Sequence, residues 1–109
     1  MKDVTEQLQR LEAFEERMGV RLEALYADFH ENQNGFHLTV NGELHPREGT
    51  QLSQNMRVVV DAYDSSGRLI CKSDDIFWCE KFFGFQSFSI ILNPRTSDLP
   101  KVRVYPKPF

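Results

Sequence analysis

The 109-residue chain is predicted to be mainly β, an antiparallel β-sandwich of six to seven strands carrying an N-terminal amphipathic α-helix. Three observations predict this. Apolar and polar residues alternate in several short stretches, as half-buried strands require. Clusters of Asn, Asp, Ser, Gly and Pro separate those stretches at intervals of roughly 8–12 residues, a sandwich spacing. At the N-terminus, by contrast, apolar residues recur in steps of three and four, the period of one helix face.

The helical stripe consists of Val4, Leu8, Leu11, Met18, Leu22, Leu25 and Phe29, with Phe14 beside it. Asp3 or Thr5 is placed to cap a helix, and Asp3 and Glu6 suit its positive end. Glu15 falls in the apolar register and weakens a coiled-coil reading. Gly19 allows either of two continuations, since one helical glycine costs only about 1 kcal/mol relative to alanine. The period alone favours a helix reaching Phe29. The alternation of Val20, Leu22, Ala24 and Tyr26 with Arg21 and Glu23, followed by Asn32-Gln33-Asn34-Gly35, favours a strand entering a hairpin turn.

Phe36, Leu38, Val40 and Leu44 then alternate with His37, Thr39, Asn41, Glu43 and His45, and Pro46 ends that strand. Arg47 to Asn55 is a polar connection. Val58, Val60 and Ala62 share one face of the next strand, and Asp64-Ser65-Ser66-Gly67 supplies the turn into Leu69 and Ile70. Phe88, Ile90 and Leu92 alternate with Ser87, Ser89 and Ile91. Asn93-Pro94 closes that strand, and Lys101 to Tyr105 forms the last one.

Composition excludes several function classes. Hydrophobic residues make up 40% and charged residues 27% of the chain, so it is globular rather than disordered. The net charge is −3 and basic residues are dispersed along the sequence, which argues against nucleic acid as a partner. No apolar run approaches membrane-spanning length, and the polar first residues carry no signal-peptide core. No membrane is therefore expected as a partner, and a cytoplasmic location is expected unless a leader precedes this sequence. Cys71 and Cys79 lack CxxC spacing and are too few to build a zinc site alone. Two reduced thiols are expected, with one disulfide as the alternative in an exported chain.

From Val20 or Phe36 to Tyr105 the pattern resembles the small bacterial immunoglobulin-like domains of the FxLyD type. The resemblance is carried by Leu38-Thr39-Val40-Asn41-Gly42-Glu43 and by Val58-Val59-Val60-Asp61-Ala62-Tyr63-Asp64-Ser65-Ser66-Gly67. Phe88-Ser89-Ile90-Ile91-Leu92 and Val102-Arg103-Val104-Tyr105 complete it. It implies an immunoglobulin-like sandwich in which the first strand pairs with the second. That favours a helix over 1–18 and a sandwich over 19–109. The matching residues are core and turn positions, so the likeness speaks for fold and hardly for activity.

Six of the thirteen aromatics lie between Phe77 and Phe88. A strand points alternate residues inward, so Phe77-Trp78 and Phe82-Phe83 do not all enter one core. Exposed, they would mark a partner or ligand surface; buried, they would close one end of the sandwich. Among the polar residues, His37 and His45 lie too far apart along one strand to share an ion. Glu43 and His45, joined by His30 where a neighbouring strand brings it alongside, are close enough, but a solvated polar face is the favoured reading, and no metal or other cofactor is expected. Cys79 as a nucleophile would need a histidine beside it, and no catalytic motif is present.

The sequence thus points to a non-enzymatic protein-interaction or self-association domain, with a protein partner or a second copy in a homodimer. The candidate contact residues are Leu8, Leu11, Phe14 and Met18 on the helix and Trp78, Phe82, Phe83 and Phe85 in the aromatic segment. The alternative is a small-ligand module with an aromatic pocket around Trp78.

Overall fold

The computed structural model describes residues 2–109, which form two four-stranded sheets packed face to face. β1 (Lys2–Asp3), β3 (Val20–Asn32), β4 (Gly35–Pro46) and β7 (Gln86–Leu92) make the first sheet in that order. β2 (Leu8–Arg10), β8 (Lys101–Pro108), β5 (Met56–Tyr63) and β6 (Leu69–Phe77) make the second. All pairings are antiparallel except that of β2 with β8. One α-helix, α1 (Glu12–Met18), lies between β2 and β3. None of the described helices is long and apolar enough to cross a membrane.

The predicted alternation is the core. Leu38, Val40 and Leu44 on β4, Met56, Val58, Val60 and Ala62 on β5, and Phe88, Ile90 and Leu92 on β7 all point between the sheets. Val102 and Val104 of β8 fill the space opposite. Each such side chain, fully buried, contributes roughly 1.5–3 kcal/mol before conformational entropy is counted. The expected hairpins are also present. Asn32 pairs with Gly35, and the Asp64 carboxylate accepts from the N–H groups of Ser66 and Arg68 across the second turn, where Gly67 has φ 82°.

Val20 to Phe29 is strand, interrupted once. Pairing with β4 is regular from Val20 to Glu23, slips at Ala24–Leu25 and resumes at Tyr26. Ala24 takes φ 53°, a left-handed value that alanine rarely adopts, and this bulge shifts the inward positions from Val20 and Leu22 to Leu25, Ala27 and Phe29. Gly42, on β4, sits opposite Phe88 of β7. A methyl group there would lie 2.7 Å from Leu25 Cδ2 and 2.8 Å from Phe88 Cζ, so only glycine leaves room for both side chains.

The N-terminal segment differs from the helix expected over 1–18. Only Glu12–Met18 is α-helical, after β1, a single 3-10 turn at Thr5–Gln7, and β2. Sheet pairing wins in the first ten residues because it satisfies backbone groups that a short isolated helix leaves to water. Val4 N–H donates to Ala27 O at 2.8 Å, and Ala27 N–H donates to Thr5 Oγ1 at 3.0 Å. Asp3 does accept the Thr5 N–H, as a cap would, but the turn it starts lasts three residues. The strand count rises to eight because β1 and β2 come from this segment. α1 ends where Gly19 takes a left-handed conformation with φ 70°.

Candidate functional site

Strand register brings four chain segments to one end of the sandwich. Val20 at the start of β3 faces Pro46 at the end of β4, while Met56 at the start of β5 lies between Phe77 and Pro108. The α1–β3 junction, the 47–55 loop, the 78–85 loop and the C-terminus therefore meet there. Hydrogen bonds tie them together. Arg47 donates through its backbone N–H to Gly19 O (3.0 Å) and through Nε to Val20 O (2.8 Å). Asn55 accepts the Cys79 N–H on its side-chain oxygen (2.9 Å) and the Phe109 N–H on its backbone oxygen (3.3 Å).

The aromatic segment divides between inside and outside. The 3-10 turn Cys79–Lys81 lets the chain return Phe82 to the core beneath it, edge-on to Phe77, which is itself edge-on to Phe88. Phe82 is 2% exposed and so is corrected from the contact set to the core. Trp78, Phe83 and Phe85 face outward at 40%, 77% and 53% exposure. Phe109, at 55%, joins them, its ring 5.0 Å from that of Trp78 and beneath the Arg57 guanidinium at 5.2 Å. Gly84, at φ 77°, donates its N–H to Thr50 O at 2.7 Å and makes the bend that swings Phe85 onto His45. Phe109 carried no sequence signal because it follows Pro106 and Pro108, outside any alternating stretch; the β5–β8 register and its bond to Asn55 bring it there.

The four N-terminal candidates also separate. Met18 is corrected to the core, and Leu8 packs against the core from β2. Leu11, half-buried, is the residue at which α1 begins. Phe14 is exposed and packs edge-on against Tyr105, ring centroids 5.4 Å apart. Between α1 and β8 lies a hollow of about 300 Å³ lined by Phe14, Arg17, Met18, Tyr105, Pro106 and Lys107; Trp78 is not part of its lining.

Next to the aromatic end, the outer face of the first sheet carries a compact polar group. Glu23 lies opposite Glu43 and Arg21 opposite His45, so all four side chains share that face. His45 Nε2 is 2.9 Å from Glu43 Oε1 and 3.3 Å from Glu23 Oε2. Arg21 Nε donates to Glu23 Oε1 at 2.8 Å. That hydrogen bond, the largest influence, holds the Glu23 carboxyl below its ordinary range, with the charges of Arg21 and His45 acting in the same direction. The Phe85 ring lies flat on the imidazole at 5.0 Å with 5° between planes. His30 lies elsewhere, opposite and stacked on His37 near the far end of the sheet, so Glu23 rather than His30 completes the group. Cys71 and Cys79 are free, half-buried thiols.

Compared with known proteins, the chain matches no family model, no curated protein and no solved structure.

Proposed function

We propose that this domain is a non-enzymatic protein-interaction module whose contact surface is the aromatic end of the sandwich, with self-association as the first case to test. The observation that carries the reading is the concentration of Trp78, Phe83, Phe85 and Phe109, all exposed, at the end where four segments converge. Large apolar side chains exposed together at one end of a domain are uncommon on monomers and common at interfaces, where a few anchors such as Trp carry most of the binding free energy. The flanking Arg57, Glu80 and Lys81 give the polar rim such surfaces have.

Within the same reading the sandwich is immunoglobulin-like and of the FxLyD kind. The N-terminal segment lends one short strand to each sheet, β4 neighbours β7, and β5–β6 is a hairpin. The demand for glycine at position 42 and the turn at Gly67 account for two features of the resemblance. The β3–β4 hairpin inside one sheet, with β5 in the other, supports the pairing of first strand with second that the resemblance implies.

Light scattering coupled to gel filtration over a concentration series tests self-association. A dimer that dissociates on dilution, and that Phe83→Ser with Phe85→Ser abolishes, supports it. A monomer at every concentration removes the second copy as the occupant of the patch.

A second reading, a small-ligand module, is favoured by the hollow between α1 and β8. Its aromatic walls and the two cations Arg17 and Lys107 suit an anionic, partly apolar molecule. Ligand binding there would alter Tyr105 fluorescence without changing the mass.

A further inference from the structure

We infer that Glu23, Glu43 and His45 form a site for one divalent transition-metal ion of the Zn2+ class on the outer face of the first sheet. The inference stands independently of the aromatic surface. Each residue offers one ligand atom, and the three atoms all lie within 4.8 Å of one another. A Zn2+ ion is held at about 2.0–2.2 Å by imidazole nitrogen and carboxylate oxygen. Ligand atoms on one such tetrahedral ion lie about 3.4 Å apart. The 3.3 Å separation from the imidazole nitrogen to Glu23 meets that, and the 2.9 Å one to Glu43, a hydrogen bond without metal, need open only slightly.

The backbone dictates this convergence. Glu43 and His45 are two apart on β4 and so project from the same face, and Glu23 is the direct cross-strand partner of Glu43. The bulge at Ala24 follows at once, so Glu23 is the last residue of β3 before the register slips.

The surroundings orient each ligand as metal sites require. Arg21 occupies Oε1 of Glu23 and leaves Oε2 turned toward the imidazole. Phe85 fixes the plane of His45. Two carboxylates converge on Nε2, which carries at most one proton and so donates a good hydrogen bond to only one of them. A cation on the axis of that nitrogen serves both.

Donor chemistry selects the class of ion. An imidazole with two carboxylates suits Zn2+ and neighbouring first-row metals, whereas Ca2+ and Mg2+ favour all-oxygen sets. Two carboxylates and a neutral imidazole carry two negative charges, of which Arg21 offsets one and the ion the remainder. Three protein ligands leave a fourth position for water. A hollow of about 300 Å³ lined by Tyr26, Asn41, Glu43 and Ser87 adjoins the group and gives that position room. The competing arrangement is a metal-free ion pair between a protonated His45 and its two carboxylates.

Equilibrium dialysis of the full chain against Zn2+, with bound metal counted by mass spectrometry, decides between them. One Zn2+ per chain is expected, with affinity falling at least tenfold in His45→Ala and in Glu43→Gln. A variant lacking the other soft donors, carrying His30→Ala, His37→Ala, Cys71→Ser and Cys79→Ser, should keep the ion. Were His45→Ala to fold poorly by circular dichroism, Glu23→Gln and Glu43→Gln carry the test, because each preserves shape while removing charge. Absence of stoichiometric Zn2+ on the native chain overturns the assignment. So does binding that survives loss of His45 and Glu43 and disappears with His30, His37 and the cysteines.

Discussion

Arg10 grips Glu15 at two points, Nε to Oε2 at 3.0 Å and a terminal nitrogen to Oε1 at 2.6 Å, and the carboxylate between them is fully buried. Both side chains also close on Leu22 of β3. Its N–H donates to Glu15 Oε1 at 2.9 Å, and its carbonyl accepts from Arg10 at 2.5 Å. The pair thus links β2, α1 and β3, and it explains how a helix of seven residues persists. Removing one partner of a fully buried pair costs about 3–5 kcal/mol, but the Arg10 side chain is 40% exposed, so solvent reaching the site lowers this to about 1–3 kcal/mol. Arg10→Ala is expected to lose stability in that range. Glu15→Gln, which keeps the acceptor for Leu22, should lose about 1–3 kcal/mol. Urea denaturation measures both, and faster hydrogen exchange at Leu22 should accompany each.

Gly42 tests the packing beneath the bulge. Adding a methyl group presses on Leu25 and Phe88 at 2.7 and 2.8 Å, and Phe88 is buried with little freedom to retreat. Overpacking of this kind costs about 1–3 kcal/mol. Gly42→Ala should lower the thermal midpoint accordingly, and Leu25→Ala in the same chain should cost less than it does alone. Strictly additive losses would show that the two side chains do not compete for the space.

These two places also mark where the sequence was legible and where it was not. β4, β7 and β8 were readable because their inward residues keep a period of two, whereas β6 was not, since of Leu69–Phe77 only Phe77 is buried and the strand runs through Asp74 and Asp75. Val20 to Phe29 was ambiguous for a physical reason. The bulge at Ala24 inserts one residue, so the inward series Leu22, Leu25, Phe29 steps by three and four and mimics a helix face. Val4, Leu8 and Leu11 mimic one too, although two of them reach the core from a turn and a strand. Glu15 in the apolar register was a true sign of burial whose partner, Arg10, could be named only once the fold was known. The division of Phe82 from Phe83 depends on the turn at Cys79–Lys81, and the meeting of Glu23 with Glu43 depends on register. Neither leaves a local pattern.

Tyr105 should make stability sensitive to alkali. Its hydroxyl donates to Asp61 Oδ2 at 2.7 Å, and Asp61, 5% exposed, has Lys72 at 3.9 Å and Arg103 as its cross-strand partner on β8. Burial chiefly, then the hydrogen bond and negative charge of Asp61, pushes the phenol from 10.0 up to about 12. A folded-state value above the unfolded one contributes stability that is complete below pH 10.0 and lost as pH rises toward about 12. Urea midpoints should therefore fall over that window, and Tyr105→Phe should flatten part of the fall. At neutral pH the same substitution should cost about 1–3 kcal/mol by depriving a buried carboxylate of its donor. A native-like alkaline slope in Tyr105→Phe would assign the effect to another group.

Phe82 and Phe83 are neighbours in sequence with opposite roles, and their substitution separates folding from contact. Phe82, wedged edge-on against Phe77 in the core, should cost about 3–5 kcal/mol when cut to alanine. Phe83, at 77% exposure, should change stability by no more than about 0.5 kcal/mol. If the aromatic end binds a protein surface, the double variant Phe83→Ser with Phe85→Ser should nonetheless weaken association at least tenfold while its melting curve stays native. Titrating the native chain against itself, with Trp78 fluorescence as the reporter, checks this directly, since Trp78 lies on the same end and becomes shielded when the patch is covered. Shielding that rises with concentration in the native chain and is absent from the double variant places the contact on Phe83 and Phe85. Equal shielding in both would move it to Trp78 and Phe109, and none in either would leave the patch without a second copy as its partner.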